Sequence, residues 1–338
     1  MTGYRKPLSA MALTIPLIQR PGSILFLDDD PDYLDMLGMV MPPQWQIGLY
    51  ARPTAFCERM RDEPSLWEAD AARQTQIIER WRQGRPLLPQ MLDYWALNPG
   101  RYQLAQVCVV DYAMPGTNGL AVLNTLLDWP GARVLLTGQA DEQVAIQAFN
   151  SGLIDRFIPK QSDDITRRLL ETLEKLAHAP HPRLNTLWRG VLQPLQHSLL
   201  QIPSVARQLQ DHARKRWVEY VVLGQPFGVL GVDAEGRCEW LQLELASQLG
   251  DLAELASSAG AGLDVVRAIR NARLLAAVEM QQQLQLGGAI RTAEAIAVGD
   301  DGLLLAAVFP LSPADMPQPI PAYRQVLEAQ SDRQILDV

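Results

Sequence analysis

Six polar residues follow apolar runs in the first half of the chain, and their types suit chemistry on phosphorus. SILFL (23–27) runs into Asp28-Asp29-Asp30, VCVV (107–110) into Asp111, ARVLL (132–136) into Thr137 and DRFIP (155–159) into Lys160. Clustered carboxylates repel one another, and a bound divalent cation relieves that repulsion. A few carboxylates, one backbone carbonyl and waters form an octahedral Mg2+ site. An aspartate beside such a site can attack phosphorus and become an aspartyl phosphate. A hydroxyl and an ammonium then hold the remaining phosphoryl oxygens and stabilise developing charge. Asp30 has a plainer reading, as N-cap of the helix that Pro31 opens.

For that chemistry the side chains must share one edge of the fold. Ile24–Leu27 and Val107–Val110 are apolar at every position, as strands covered on both faces of a parallel sheet are. With WQIGLY (45–50), ARVLLTG (132–138) and IDRFIPK (154–160) they make five strands alternating with amphipathic helices, a doubly wound α/β fold. Ligands in such folds bind outside the carboxyl ends of the strands, where these residues fall.

The stretch 23–160 resembles the receiver domain of two-component response regulators. It has an acid pair after the first strand, an aspartate followed by Met-Pro-Gly in VCVVDYAMPGTNGL (107–120), then a Ser/Thr and a lysine. The resemblance implies a five-stranded parallel sheet in the order 2-1-3-4-5 and Mg2+ as cofactor. It assigns Asp111 as phosphoacceptor, and Asp28, Asp29, Asp111 and the Ala113 backbone carbonyl as metal ligands, with Asp29 the direct acid-pair ligand. Thr137 becomes the switch hydroxyl, Phe157 the switch aromatic and Lys160 the family's lysine. A sensor histidine kinase or phosphotransfer protein would donate the phosphoryl group. Phosphorylation would reshape the surface of residues 141–152 and the next strand and helix, and so control dimerisation. Enzyme activity is expected only as self-catalysed phosphotransfer and dephosphorylation.

Two departures stand out. Asp29 and Asp111 are 82 positions apart, more than a receiver needs. The surplus, about 57–103, has helical periodicity and carries Trp67, Trp81 and Trp95, so it predicts one extended helix and a shorter one rather than a disordered loop. The family's lysine is usually followed by proline, whereas here Pro159 precedes Lys160, which predicts a slightly different placement.

Beyond the receiver, DDITRRLLETLEK (163–175) reads as its last helix, capped by Asp163 or Asp164. Residues 184–217 continue helical, interrupted by Pro194 and Pro203. Residues 218–244 and 291–311 then read as strands, with turns at Ala234-Glu235-Gly236 and Gly299-Asp300-Asp301-Gly302. Between them 246–258 and 263–286 read as two helices. The result is an antiparallel α+β module. GVLGVDAEGRCEWLQLELASQLG (228–250) is similar to the opening hairpin and helix of PAS domains. The whole layout resembles regulators of α-hydroxyketone quorum-sensing systems.

The expected organisation is therefore an N-terminal arm (1–22), a receiver (23–177), a helical connector (178–216), an α+β output domain (217–312) and a tail (313–338). The start of the chain reads as an arm rather than a signal peptide, because Pro16 interrupts its apolar run.

Bulk properties narrow the output. The net charge is −8 and concentrates in the last 122 residues, where seven Lys/Arg face sixteen Asp/Glu. Such a module repels phosphate backbones, so nucleic acid is a poor partner for it. No apolar run approaches a membrane span. Three scattered cysteines, Cys57, Cys108 and Cys238, form neither a disulfide framework nor a zinc set, which points to the cytoplasm. No glycine-rich nucleotide loop or nucleophile motif is present. The expected output is a protein interaction, with ligand or nucleotide sensing as the alternative.

Overall fold

The computed structural model describes residues 14–138, 142–329 and 335–336. After β1 (Ile18–Gln19) the chain enters the receiver through β2 (Ser23–Leu27), α1 (Pro31–Val40), β3 (Gln46–Tyr50) and α2 (Pro53–Arg61). The insertion adds α3 (Glu63–Arg82) and α4 (Leu87–Leu97) before β4 (Ala105–Asp111). Short β5 (Ala113–Met114) and β6 (Thr117–Asn118) lead to α5 (Gly119–Asn124), β7 (Ala132–Thr137), α6 (Glu142–Asn150), β8 (Arg156–Pro159) and α7 (Ile165–Ala177).

The receiver sheet is five-stranded and wholly parallel, in the order β3-β2-β4-β7-β8, as the apolar strand pattern requires. Alternate residues of each strand enter different cores. Ile24, Phe26, Val107 and Val109 pack with Leu34 and Leu37 of α1 and Leu169 and Leu173 of α7. Leu25, Leu27, Cys108 and Val110 face the other way, into a larger core. That core takes in Trp67, Met91 and Trp95 of the insertion and runs on into the C-terminal sheet.

The rest of the chain comprises α8 (Pro182–Arg189), α9 (Pro194–Leu200), α10 (Pro203–Arg216), β9 (Glu219–Gly224), β10 (Phe227–Val232), β11 (Cys238–Leu245), α11 (Leu249–Ser258), α12 (Leu263–Arg270), β12 (Leu274–Ala276), α13 (Val278–Gln283), β13 (Thr292–Glu294), β14 (Ile296–Val298), β15 (Leu304–Leu311) and α14 (Tyr323–Glu328). The main C-terminal sheet has the order β1-β9-β10-β11-β15-β14 and is antiparallel. The hairpin expected over 228–250 is present as β10–β11 and is followed by α11. β9 pairs directly onto β10 as a meander.

Several sequence expectations change. The described part of the arm is a strand of the C-terminal sheet, with Ile18 opposite Val221 and Gln19 opposite Tyr220. The apolar pattern over 263–286 is not one helix. It stops at Asn271, Ala272 takes φ 56, and Leu274–Ala276 pairs with Thr292–Glu294 instead. A left-handed residue cannot continue a right-handed helix. Asp164 occupies the N-cap of α7 but makes no capping hydrogen bond; its carboxylate pairs with Arg167. The tail returns to the receiver: Tyr323 donates to the Gln44 carbonyl at 3.2 Å, and Ile335 bridges Leu49 on the open edge of β3.

Buried polar groups bind the insertion to its surroundings. Arg20 pairs with Asp70 at 2.9 Å and donates to the Tyr94 hydroxyl at 3.0 Å. Gln74 donates to Asp70 at 2.9 Å and accepts from the Trp188 indole at 2.7 Å. The network joins the segment after β1, both insertion helices and α8. Its buried polar atoms are paired except Arg20 Nη2, which has no hydrogen-bond partner among the described residues, and the pairing favours one arrangement of these elements.

Candidate phosphoryl site

Each acidic residue is held by its own local structure. β2 and β4 are neighbours in the middle of the sheet, so Asp28 and Asp111 emerge side by side at their carboxyl ends. Asp30 caps α1 by accepting from the backbone N–H groups of Asp32 and Tyr33 at 3.0 and 3.3 Å. Its own N–H donates to Asp28 at 3.2 Å, which turns the chain sharply from strand to helix. On the other side, the Ala113 N–H donates to Asp111 Oδ2 at 3.0 Å. Gly119 closes the loop beyond: a Cβ there would lie 2.2 Å from the Asp111 carbonyl oxygen, so a side chain would push the strand end away.

Asp28, Asp29 and Asp111 each bring a carboxylate oxygen within 4.8 Å of the others. Asp28 and Asp111 are buried and Asp29 is exposed. Lys160, in the segment after β8, bridges the buried pair: its Nζ lies 2.7 Å from Asp28 Oδ2 and 2.7 Å from Asp111 Oδ1. The preceding proline therefore does not shorten its reach. Burial pushes the Asp28 carboxyl above its ordinary range, opposed by Lys160. Burial disfavours the Lys160 ammonium, but hydrogen bonds to Asp111 and Asp28 outweigh it and raise the lysine.

Thr137 ends β7, one strand over from Asp111, and its backbone carbonyl accepts from the Lys160 N–H at 2.8 Å. Its hydroxyl is buried with no hydrogen-bond partner among the described residues, an uncompensated cost that an arriving oxygen ligand would remove. Phe157 is half-buried on β8, where it pairs in register with Leu135. Ala113 is exposed, beside Asp111.

These donors fit a hard divalent cation. Three carboxylates converge, all of oxygen type, and one of them faces solvent, so bound water can complete the shell. Tyr33 was not legible as a site residue. Its ring lies beneath the Lys160 ammonium, with Nζ 4.8 Å from the centroid. A position five residues after Asp28, on the first turn of the helix capped by Asp30, was the only hint of it.

An acid cluster, a lysine and a buried hydroxyl thus meet at the carboxyl edge of a sheet in the order 2-1-3-4-5. No protein-family model matches the sequence, and no curated protein sequence does. Among solved structures, the response regulator LqsR of Legionella pneumophila shares the fold over 97% of this chain and 100% of its own, with TM-score 0.69 and 23% identity. A response regulator receiver domain protein from Clostridium thermocellum covers 46% of this chain and 94% of its own, with 16% identity and TM-score 0.30. The BeF3-activated DrrB receiver domain covers 47% and 99%, with 13% identity and TM-score 0.31. The fold shared with LqsR is a receiver-type α/β sheet joined to an antiparallel α+β module.

Proposed function

We propose that the protein is a response regulator that accepts a phosphoryl group on Asp111. The observation that carries this reading is the bridge from Lys160 to Asp28 and Asp111, with Asp29 close enough to complete a cation site. An Asp111 carboxylate oxygen attacks phosphorus, the bond from phosphorus to the donor breaks, and the donor leaves with the electron pair. A Mg2+ ion held by Asp28, Asp29, Asp111 and the Ala113 carbonyl would neutralise phosphoryl charge during transfer. Lys160 shifts from the carboxylates to a phosphoryl oxygen, and the Thr137 hydroxyl donates to another.

The donor is a sensor histidine kinase or a phosphotransfer protein, and the setting is the cytoplasm. The layout resemblance favours an α-hydroxyketone quorum-sensing circuit. Movement at Thr137, Phe157 and Lys160 is felt by α6, β8 and α7, where Val144 and Ile146 are exposed. A second copy covering that face makes the phosphorylated state a dimer, and the C-terminal module then acts on a protein partner rather than on DNA.

The test is intact mass after incubation with acetyl phosphate and Mg2+. One added phosphoryl group on the wild type and none on Asp111→Asn is the expected result, whereas labelling of that variant overturns the assignment. Light scattering with and without beryllofluoride and Mg2+ then reads dimer formation.

A further inference from the structure

We propose that Tyr33 is the positioning residue of this site: its ring face holds the Lys160 ammonium over the Asp28–Asp111 pair. The inference rests on the reading of Asp111 as phosphoacceptor, and it adds a residue which that reading does not use.

Lysine is a flexible chain that loses much rotamer freedom when fixed. Lys160 is fixed nonetheless, with its side chain 26% exposed and its Nζ 2.7 Å from each carboxylate. The third side of the ammonium is the Tyr33 ring, at 4.8 Å, well inside the range of cation–π attraction. The ring cannot drift. Asp30 accepts from the Tyr33 N–H, and Leu34, the next residue of α1, is fully buried in the core beneath the helix.

The phenol is used only as a face. Its hydroxyl is buried and has no hydrogen-bond partner among the described residues. Burial, opposed by Lys160 and helped by Asp28 and Asp111, pushes it up to about 12, so the ring stays neutral with its quadrupole turned to the ammonium. That attraction acts across the whole ring face rather than along one bond. An ammonium moving from a carboxylate oxygen to a phosphoryl oxygen keeps it throughout.

The experiment compares the full chain with Tyr33→Phe and Tyr33→Leu. Because the hydroxyl has no hydrogen-bond partner among the described residues, phenylalanine preserves the proposed interaction and leucine removes it. The first readout is the NMR shift of the Lys160 ε-CH2 protons, assignable by substitution because the chain has four lysines. They are expected upfield from the ring current in the wild type and Tyr33→Phe, and near the free-lysine position in Tyr33→Leu. The second readout is labelling by acetyl phosphate with Mg2+. Tyr33→Phe should retain the wild-type rate within about twofold, and Tyr33→Leu should lose about tenfold.

An unshifted Lys160 signal in the wild type overturns the proposal, even if the leucine variant does not fold. So does a folded Tyr33→Leu that labels as fast as the wild type. If the wild type itself is not labelled, the phosphoacceptor reading fails, and the ring-current measurement alone decides whether Tyr33 holds Lys160.

Discussion

Arg101 and Glu219 meet with no exposed side-chain surface, the Arg101 Nε donating to Glu219 Oε2 at 2.8 Å. Arg101 belongs to the turn that ends the insertion just before β4, and Glu219 opens β9 of the C-terminal sheet. Arg101 also donates to the carbonyls of Trp95 and Asn98 and to the Tyr102 hydroxyl. The segment leading to Asp111 is thus pinned to the C-terminal sheet by a buried charge pair. Removing one partner of such a pair leaves the other charge buried and unpaired. Arg101→Met is expected to cost about 3–5 kcal/mol of stability, read from urea denaturation. Arg101→Met with Glu219→Leu should be clearly more stable than the single variant; equal stability would mean that the pair itself contributes nothing.

Divalent cation binding should stabilise the folded chain, because it relieves repulsion among Asp28, Asp29 and Asp111 that unfolding also relieves. A ligand at a hundred times its dissociation constant adds about 2.7 kcal/mol. Mg2+ is expected to raise the melting temperature of the wild type, and EDTA to reverse the rise. Asp29→Asn should lose most of it, since Asp29 is the carboxylate of the three that faces solvent. A Mg2+ response undiminished in Asp29→Asn would place the cation elsewhere.

Glu244, near the end of β11, is expected to make stability fall as pH rises. Burial, then the charges of Glu279 and Asp251, push its carboxyl from 4.5 up to about 7, against a hydrogen bond with Gln242. A folded-state value above the unfolded one contributes stability that is fully present below pH 4.5 and lost as pH rises through 7. Glu244→Gln should therefore be more stable than the wild type above pH 7, by about 3 kcal/mol, and should flatten the profile between. Urea midpoints on either side of that window check it; a parallel loss in both proteins would exclude Glu244 as the cause.

The receiver was legible because its signals are local. Five apolar runs give the strands, and the residue after each run marks where the ligand edge begins. Asp30 as N-cap and the turns at Gly236 and Gly299 were also readable, since caps and left-handed turns depend on near neighbours. The break at Ala272 was not. The apolar pattern of 263–286 suits a helix, and only pairing of Leu274–Ala276 with Thr292–Glu294 overrides it. Tyr33 escaped for a related reason: its significance lies in Lys160, a residue brought to it by the last strand of the sheet.

The sequence by itself determined the parallel sheet, its order of residue types at the carboxyl edge, and the presence of helices in the insertion, because burial pattern and capping are written in short stretches. Only the tertiary structure decided that these parts are not separate. Ile18 and Gln19 complete the far sheet, Arg101 reaches Glu219, Ile335 comes back to Leu49, and one apolar core runs from β4 through Trp95 to β10. Such contacts join residues far apart in the chain, and what selects them is the burial of faces and charges that no neighbouring stretch can cover.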